Sequence, residues 1–407
     1  MTILVPALVA ALSAAAAESS QQTLSLVDAT RRAMDRNPEL AEAASAARAA
    51  EHGVRGAGAL PEPILTYQAW QQPLSRPLDP TATNMHMIGI RQSLPFPGQL
   101  GIAERAARSE AEARRDDVRA RRLAVQAQVA HAYVAWWRAR EELRVHLEHM
   151  KLAERTIAAV QARYGTGGAR QADMLRAETD LHRLHADIAG IQESLRSSEA
   201  LLAASMGAPD EALPPPAAPD IVLPASGGER PEVASARAQA ARAETMAHLA
   251  DRARHAPDLM VGFDYMLMPG LPDAYSVMLQ VGVPWFSSRR ASEAERAEAE
   301  AQQARDATAA AVNAARYERA QAQARAQAAK AQLGVLEDDV VPRADRTLQA
   351  VRASYASGDA DLVSLIDAES VLLDTRLSAV RQRAALADAA ADLRRAFAID
   401  LLEGVKP

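Results

Sequence analysis

The sequence predicts a mainly α-helical fold carrying a membrane-type β component, arranged as a tandem αββαα repeat. Three observations predict it: composition, an internal repeat, and four short alternating segments. The chain has 407 residues, 49% hydrophobic but only 4% aromatic, with 22 prolines, 19 glycines and no cysteine. Alanine inflates the hydrophobic share, and alanine mixed with Glu, Arg and Gln reads as long helix. A globular enzyme of this size with one deep core would carry more large apolar residues. Mean hydropathy is −0.18, and no apolar run reaches the ~18 residues of a spanning helix. The absence of cysteine excludes disulfides, thiolate metal sites, a cysteine nucleophile and a lipid anchor on cysteine. A net charge of −6 argues against nucleic acid as a partner.

Residues 1–17 are apolar and end in Ala15-Ala16-Ala17, which is expected to be a secretory signal, although the usual basic start is missing. The repeat then organises the chain. Tyr164-Gly165-Thr166-Gly167-Gly168-Ala169 echoes Tyr355-Ala356-Ser357-Gly358-Asp359-Ala360, and the match runs on through Ala177/Ala368, Glu178/Glu369 and Leu181/Leu372. Ser93-Leu94-Pro95-Phe96-Pro97 echoes Gly282-Val283-Pro284-Trp285-Phe286, and Asn37-Pro38-Glu39-Leu40 echoes Arg230-Pro231-Glu232-Val233. A leading helix is expected within 18–57, near 26–56, and another within 231–256. The β-hairpins are placed at 58–94 and 257–284, the long helical hairpins at 95–207 and 285–402, a Pro/Gly-rich linker at 208–230 and a tail at 403–407.

The strands are expected at Ile64–Gln72, Met85–Leu94, Asp258–Met268 and Ala274–Val283, each long enough for a tilted membrane strand. Leu259, Val261, Phe263, Tyr265 and Leu267 alternate with mixed residues, as do Tyr275, Val277, Leu279, Val281 and Val283. That is the apolar-out, mixed-in text of a membrane barrel. In the second strand His86, Ile88, Ile90 and Leu94 point outward; the first strand is ambiguous. No proline occurs from Gly98 to Ala208, so a helix of about 65 residues, ~100 Å, turns back into one of about 40. Val129, Tyr133, Trp136, Arg140, Leu143, Leu147, Met150, Glu154, Ile157, Gln161 and Tyr164 form the ascending heptad seam. Met174, Ala177, Leu181, Leu184, Ile188, Ile191, Leu195, Ser198 and Leu202 form the returning one. The two arms should pack as an antiparallel coiled coil, and the second half should repeat it.

Four strands cannot close, and an open edge in lipid leaves backbone groups unpaired, so several protomers must share one barrel. With the tandem halves, the Asn-Pro-Glu-Leu start, the Gln92-Ser93-Leu94-Pro95-Phe96-Pro97-Gly98 junction and the two Tyr-x-x-Gly tips, the chain resembles the TolC-type outer-membrane efflux proteins. The Pro-Phe-Pro-Gly-Gln junction is most similar to the heavy-metal-efflux branch of CusC-like and CzcC-like channels. The resemblance implies a homotrimer with a twelve-stranded β-barrel in the outer membrane and a twelve-helix tube in the periplasm of a Gram-negative bacterium. It also implies a passive duct, without cofactor, served by a periplasmic adaptor (membrane fusion) protein and an inner-membrane pump of the resistance-nodulation-division type. The chain departs from internal symmetry at Pro342, which has no counterpart in the first half.

The resemblance also assigns candidate sites. Asp359, Asp361, Ser364 and Asp367 match the acidic segment that closes the periplasmic end, with Asp173 and Arg176 opposite in the first half. Three copies of Asp367 around an axis would repel each other and attract cations; the alternative is a solvated helix start favoured by the dipole. Tyr164, Gly165, Thr166, Gly167, Gly168, Tyr355, Ala356, Ser357 and Gly358 are the adaptor-docking tips, or only turns in which glycine permits positive φ. Met85, Met87, Met260, Met266, Met268 and Met278, half of the 12 methionines, crowd into the four strands and fall on the inner side by alternation. Thioethers suit soft ions such as Cu(I); methionine is also adaptable filler. His146, His149, His182 and His185 form two i,i+3 pairs whose offsets place them on opposite sides of the seam, so a solvated surface is expected rather than one metal site. Trp285, Phe96, Trp70 and Tyr67 suit either an aromatic girdle or a packed barrel–tube junction.

The functional expectation is an efflux duct for metal cations. The alternatives are drug or protein export and, in a different class, a structural coiled coil, which leaves the paired alternating strands unexplained. Phosphate-binding glycine loops, nucleophile motifs and His-Glu-x-x-His signatures are absent from the sequence.

Overall fold

The computed structural model describes residues 23–77, 79–284 and 287–403. The expected signal, residues 404–407 of the tail, and Trp285 lie outside them. The helices are α1 (Leu26–Arg36), α2 (Pro38–Ala57), α3 (Gln99–Gly165), α4 (Gln171–Ser205), α5 (Pro231–His255), α6 (Ser288–Val335), α7 (Val341–Ser357) and α8 (Leu362–Ala396). The strands are β1 (Ile64–Trp70), β2 (Met85–Leu94), β3 (Asp258–Leu267) and β4 (Ala274–Gly282). The αββαα order therefore occurs twice. Two departures from the expected elements have local causes. The first leading helix is broken, because Asn37 is extended at ψ 121° ahead of Pro38, whose ring disfavours a helical predecessor. The second ascending arm contains a π-helical segment, Leu336–Val340, just before Pro342, which lacks the N–H that would continue the ladder.

The chain divides into two compact units. One is formed by residues 42–119 and 231–314 and holds the sheet. Its strands run β1-β2-β3-β4, all antiparallel, so β1 and β4 are the edges. The register resolves the first strand: Leu65 pairs with Ile90 and Tyr67 with Ile88, which puts both on the apolar face. Helical segments of this unit are tied by side chains. Arg115 donates to Glu51 at 2.7 Å, Ser235 to Asp117 at 2.6 Å, and Thr308 to the Ala236 carbonyl at 3.1 Å. Phe96, in the strand-to-helix junction, is buried with the Arg252 guanidinium 5.6 Å from its ring centroid, so the packing reading holds for Phe96.

The other unit comprises, among the described residues, 23–41, 120–230 and 315–403. One of its cores joins Leu24, Ala29 and Ala33 to Val125, Val129, Tyr133, Trp136, Leu202 and Met206. The linker is not slack here. Leu24 bridges Pro216, and the buried Tyr133 hydroxyl lies 2.7 Å from the carbonyls of both Leu24 and Ala217. At the linker's end Gly227 must stay glycine, since a Cβ would sit 2.1 Å from the Phe397 carbonyl. A second core, with Val160, Ala177, Leu348, Tyr355, Leu362, Leu365 and Leu372, binds the ends of α3, α4, α7 and α8 together.

The α4 seam is buried at Ala177, Leu184, Ile188, Ser198 and Leu202, as its heptads require. The α3 seam is buried at Val129, Tyr133 and Trp136, but farther along it shifts by one residue. His146, His149, Ala153, Thr156 and Val160 are buried, whereas Leu147 is exposed. The reason is that α3 meets two neighbours. It pairs with α4 and also contacts α8, through Thr156 to Glu369 and Glu142 to Arg381, which moves the buried stripe.

Candidate functional site

Three features of the fold bear on function. The first is the sheet. Its alternation gives one face of Leu65, Tyr67, Ile88, Ile90, Val261, Phe263, Tyr275, Val277 and Leu279, all exposed, with Leu65 at 77% and Val277 at 73%. Apolar surface on this scale is not left in water. The opposite face carries mixed residues. Thr66, Gly89, Asp264 and Ser276 form one cross-strand row. Asp264 is buried there and lies 3.9 Å from Arg91. It fits because Gly89 has no side chain: a Cβ would stand 2.0 Å from its carboxylate oxygen. Met85, Met87, Met260, Met266 and Met278 share this face, and Met268 follows directly after β3. Tyr67 is exposed on the apolar face and its hydroxyl meets His86 Nδ1 at 2.9 Å, whereas Trp70 lies on the other face.

The second feature is the pair of turns. Gly167 (φ 76°) and Gly358 (φ 92°) both need the left-handed region. The turns are not equivalent: Tyr164 is exposed, while Tyr355 is buried. Arg163 joins them, donating to the Tyr355 carbonyl at 2.8 Å with its guanidinium 4.7 Å from the ring centroid. Thr166 and Ser357 hydroxyls donate back to carbonyls of the preceding helical turn and stay exposed.

The third feature is a groove beside α4 and α8. Arg176, Thr179, Asp180, Arg183, Ser364 and Asp367 line an open space of 540 Å³, with Asp367 exposed. The structure thus brings Arg176, Ser364 and Asp367 together. It places the other three acids differently. Asp361 caps α8 by accepting from the Ser364 N–H at 2.9 Å, and Ser364's hydroxyl and N–H hold its carboxyl below the usual range. Asp173 accepts from the Arg170 N–H at 3.0 Å, and Asp359 from the Ser357 hydroxyl at 2.8 Å.

A neighbouring space of 580 Å³ shares Asp180, Arg183 and Ser370 and has His146 and His149 among its lining residues. Here the expectation fails. These two histidines are buried, because the α3 stripe is shifted, and burial pushes both below the usual imidazole value. His182 and His185 are exposed, as expected. Among the described residues no cluster of His, Asp or Glu has the arrangement to hold a metal ion. Sequence reasoning also missed Glu369. It is 1% exposed, accepts from the Thr156 hydroxyl at 2.8 Å, and burial raises its carboxyl. Its echo of Glu178 marked a repeat position but carried no signal of burial.

None of these features assembles a nucleophile with a base or a cofactor cradle. A lipid-compatible sheet and long paired helices are the parts of a transmembrane duct. The family model described as outer membrane efflux protein matches residues 29–208 and 224–398. The chain belongs to that family. It is an outer-membrane efflux channel and not an enzyme. Solved structures have the same fold at low identity. VceC of Vibrio cholerae is 22% identical, with a TM-score of 0.77 over 92% of this chain and 96% of that one. CusC is 22% identical, with a TM-score of 0.81 over 92% of each chain. OprN is 19% identical, with a TM-score of 0.81 over 92% and 90%. No curated protein matches in sequence. The family's two matched segments correspond to the two halves of the repeat in this efflux protein, with most of the 208–230 linker falling between them.

Proposed function

We propose that three copies of this chain close one twelve-stranded barrel and one twelve-helix tube, forming the passive exit duct of a tripartite efflux system for heavy-metal cations. The observation that carries the oligomer is the open four-stranded sheet with an exposed apolar face. Edge strands β1 and β4 need partners in lipid, and a second copy supplies them. The paired turns are assigned to the periplasmic adaptor, which hands solute on from an inner-membrane pump of the resistance-nodulation-division type. Exposed Thr166 and Ser357 are suited to such contact.

Arg176, Ser364 and Asp367 are assigned to the periplasmic gate. Asp367 is exposed beside a groove and is not used as a cap, so three copies near an axis would collect cations. Asp173 and Asp361 cap the starts of α4 and α8, Asp359 accepts from the Ser357 hydroxyl in the adjoining turn, and all three are assigned to the same gate segment. The metal reading rests on the methionine-lined sheet face and on the Pro95-Phe96-Pro97-Gly98-Gln99 junction.

Planar-bilayer recording tests the gate: Asp367→Ala should raise leak conductance or abolish cation block, and unchanged currents would remove Asp367 from that role. Survival of strains lacking the channel against copper, silver, zinc and cobalt, compared with drugs, tests the solute class. Sensitivity to drugs alone would replace metal export with drug export. Site-directed cross-linking to the adaptor through positions 166 and 357 tests docking, and bulky substitutions there should abolish it.

A further inference from the structure

We propose that Met85, Met87, Met266 and Met268 form a thioether site for a soft monovalent cation, Cu(I) or Ag(I), at the loop-bearing end of the sheet. The inference rests on the metal-efflux reading and narrows it to one ion class and four of the six strand methionines.

The register carries the argument. Met87 pairs directly with Met266, and the neighbouring pair is His86 with Leu267. The β2–β3 ladder ends at His86–Leu267, and Met85, the first residue of β2, and Met268, the first residue after β3, stand immediately beyond it. Met85 and Met87 are two apart, so they share a face, and Met87 shares it with Met266. One opposed methionine pair, Met87–Met266, therefore lies beside Met85 and Met268 at the end of the same ladder. Directly opposed Cβ atoms lie ~5 Å apart, and successive same-face residues ~7 Å apart along a strand. Four flexible side chains, each with three rotatable bonds, converge over a patch of that size.

The surroundings favour a cation with soft ligands. All four methionines are half-buried, so the thioethers are neither sealed in a core nor spread in water. The flanking residues of the Met87–Met266 row are Gln68 and Ala274, neither of which brings a positive charge. The next row holds Asp264, whose carboxylate lies over Gly89. Arg91 is one row beyond that, paired to Asp264, which keeps its charge from the methionines. Thioether sulfur binds Cu(I) and Ag(I) and discriminates against hard or borderline divalent ions. Filler alone requires methionine-sized volume, but it does not require sulfur at four positions grouped at one end of the sheet around an opposed pair. Met260 and Met278 sit farther along the face, opposite Ser93 and Gly262, and lack a methionine partner.

The test titrates the full-length, heat-modifiable protein with Ag(I) in chloride-free buffer. Saturable binding of one ion per chain is expected. It should be lost in M85L/M87L/M266L/M268L and kept in M260L/M278L. Leucine preserves volume and apolarity; if the quadruple variant fails to give heat-modifiable protein, M87L/M266L takes its place and should weaken binding. X-ray absorption of Cu(I)-loaded protein should show sulfur ligands only. Absence of saturable binding to the unaltered protein, or full binding by the leucine variants, would overturn the site. Survival assays separate this from the export reading. Ag(I) binding without any channel-dependent silver or copper survival leaves the site standing and removes metal export. Survival that persists in the leucine variants removes the site from transport and leaves export standing.

Discussion

His131 and the pair His146 and His149 are opposite cases of one residue type on one helix. His131 lies between Asp388 at 2.8 Å and Asp392 at 3.0 Å, both on α8. Hydrogen bonds to these carboxylates push it up to about 9, from an ordinary 6.5. Arg325 on α6 stands 3.8 Å from Asp392 and shares that acid. A raised folded-state value stabilises fully below the unfolded value and is lost as pH rises through about 9. His146 and His149 are depressed, first by burial. Around His146 stand Asp187 on α4, Glu142 on α3, and Asp374 and Arg381 on α8. Around His149 stand Asp180 on α4, His146, and Arg376 and Asp374 on α8. Their contribution is complete above the ordinary 6.5 and falls away as pH drops below it. Thermal unfolding against pH should therefore decline on both sides of neutrality. H131A should flatten the alkaline limb and H146Q/H149Q the acid limb, each without altering the other. A single profile shared by all three proteins would refute the assignment.

At the scale of elements, what was legible followed from strict periodicity. A strand has a period of two and a single choice of face, so alternation fixed β2, β3 and β4 nearly to the residue. The weak alternation of β1 was settled only by its partner, through Leu65–Ile90 and Tyr67–Ile88. Heptads read α4 correctly, with Ala177, Leu184, Ile188, Ser198 and Leu202 buried at the expected spacing. They misplaced the far part of α3, where two neighbours widen the buried stripe and bring His146 and His149 inside. The Asn37 break was readable from Pro38, since the residue before proline avoids helix. Of the candidate gate, the grouping of Arg176 with Asp367 was legible from the repeat; the use of Asp173 and Asp361 as caps, and of Asp359 as acceptor for the Ser357 hydroxyl, needed coordinates. The π segment also has a local cause. Pro342 cannot donate to the carbonyl of Asp338, and the Val341 N–H reaches Leu336 instead. P342A restores a donor and should raise hydrogen-exchange protection across 336–345. Unchanged protection would mean that packing of Ala344 and Leu348, not proline, holds the segment.

For the whole molecule, composition has a physical placement. Alanine populates the buried positions of the long helices, including Ala322, Ala326, Ala329, Ala384, Ala387 and Ala390. Small side chains let helices approach closely with little bulk, so a low aromatic content is compatible with extensive burial. Several of the larger apolar residues lie on the exposed sheet face, where lipid rather than protein is the expected neighbour. A charge on that face carries a depth-dependent cost, ~2–4 kcal/mol for arginine at the bilayer midplane. L279R should accordingly lower the yield of heat-modifiable protein in outer-membrane fractions. M278R, on the opposite face, should leave assembly closer to normal and act on conductance. Equal loss from both would contradict the facial assignment.

Arg163 ties the turn after α3 to the turn after α7, through the Tyr355 carbonyl and ring. The hydrophobic cluster around Val160, Ala177, Tyr355 and Leu362 joins the same four helix ends. The two halves of the repeat, which echo each other in sequence, are thus coupled at this end of the unit. Movement of one turn strains a cation–π contact and a hydrogen bond belonging to the other. A force applied to either turn is therefore distributed over both hairpins, and mechanical work done on one is delivered to its counterpart.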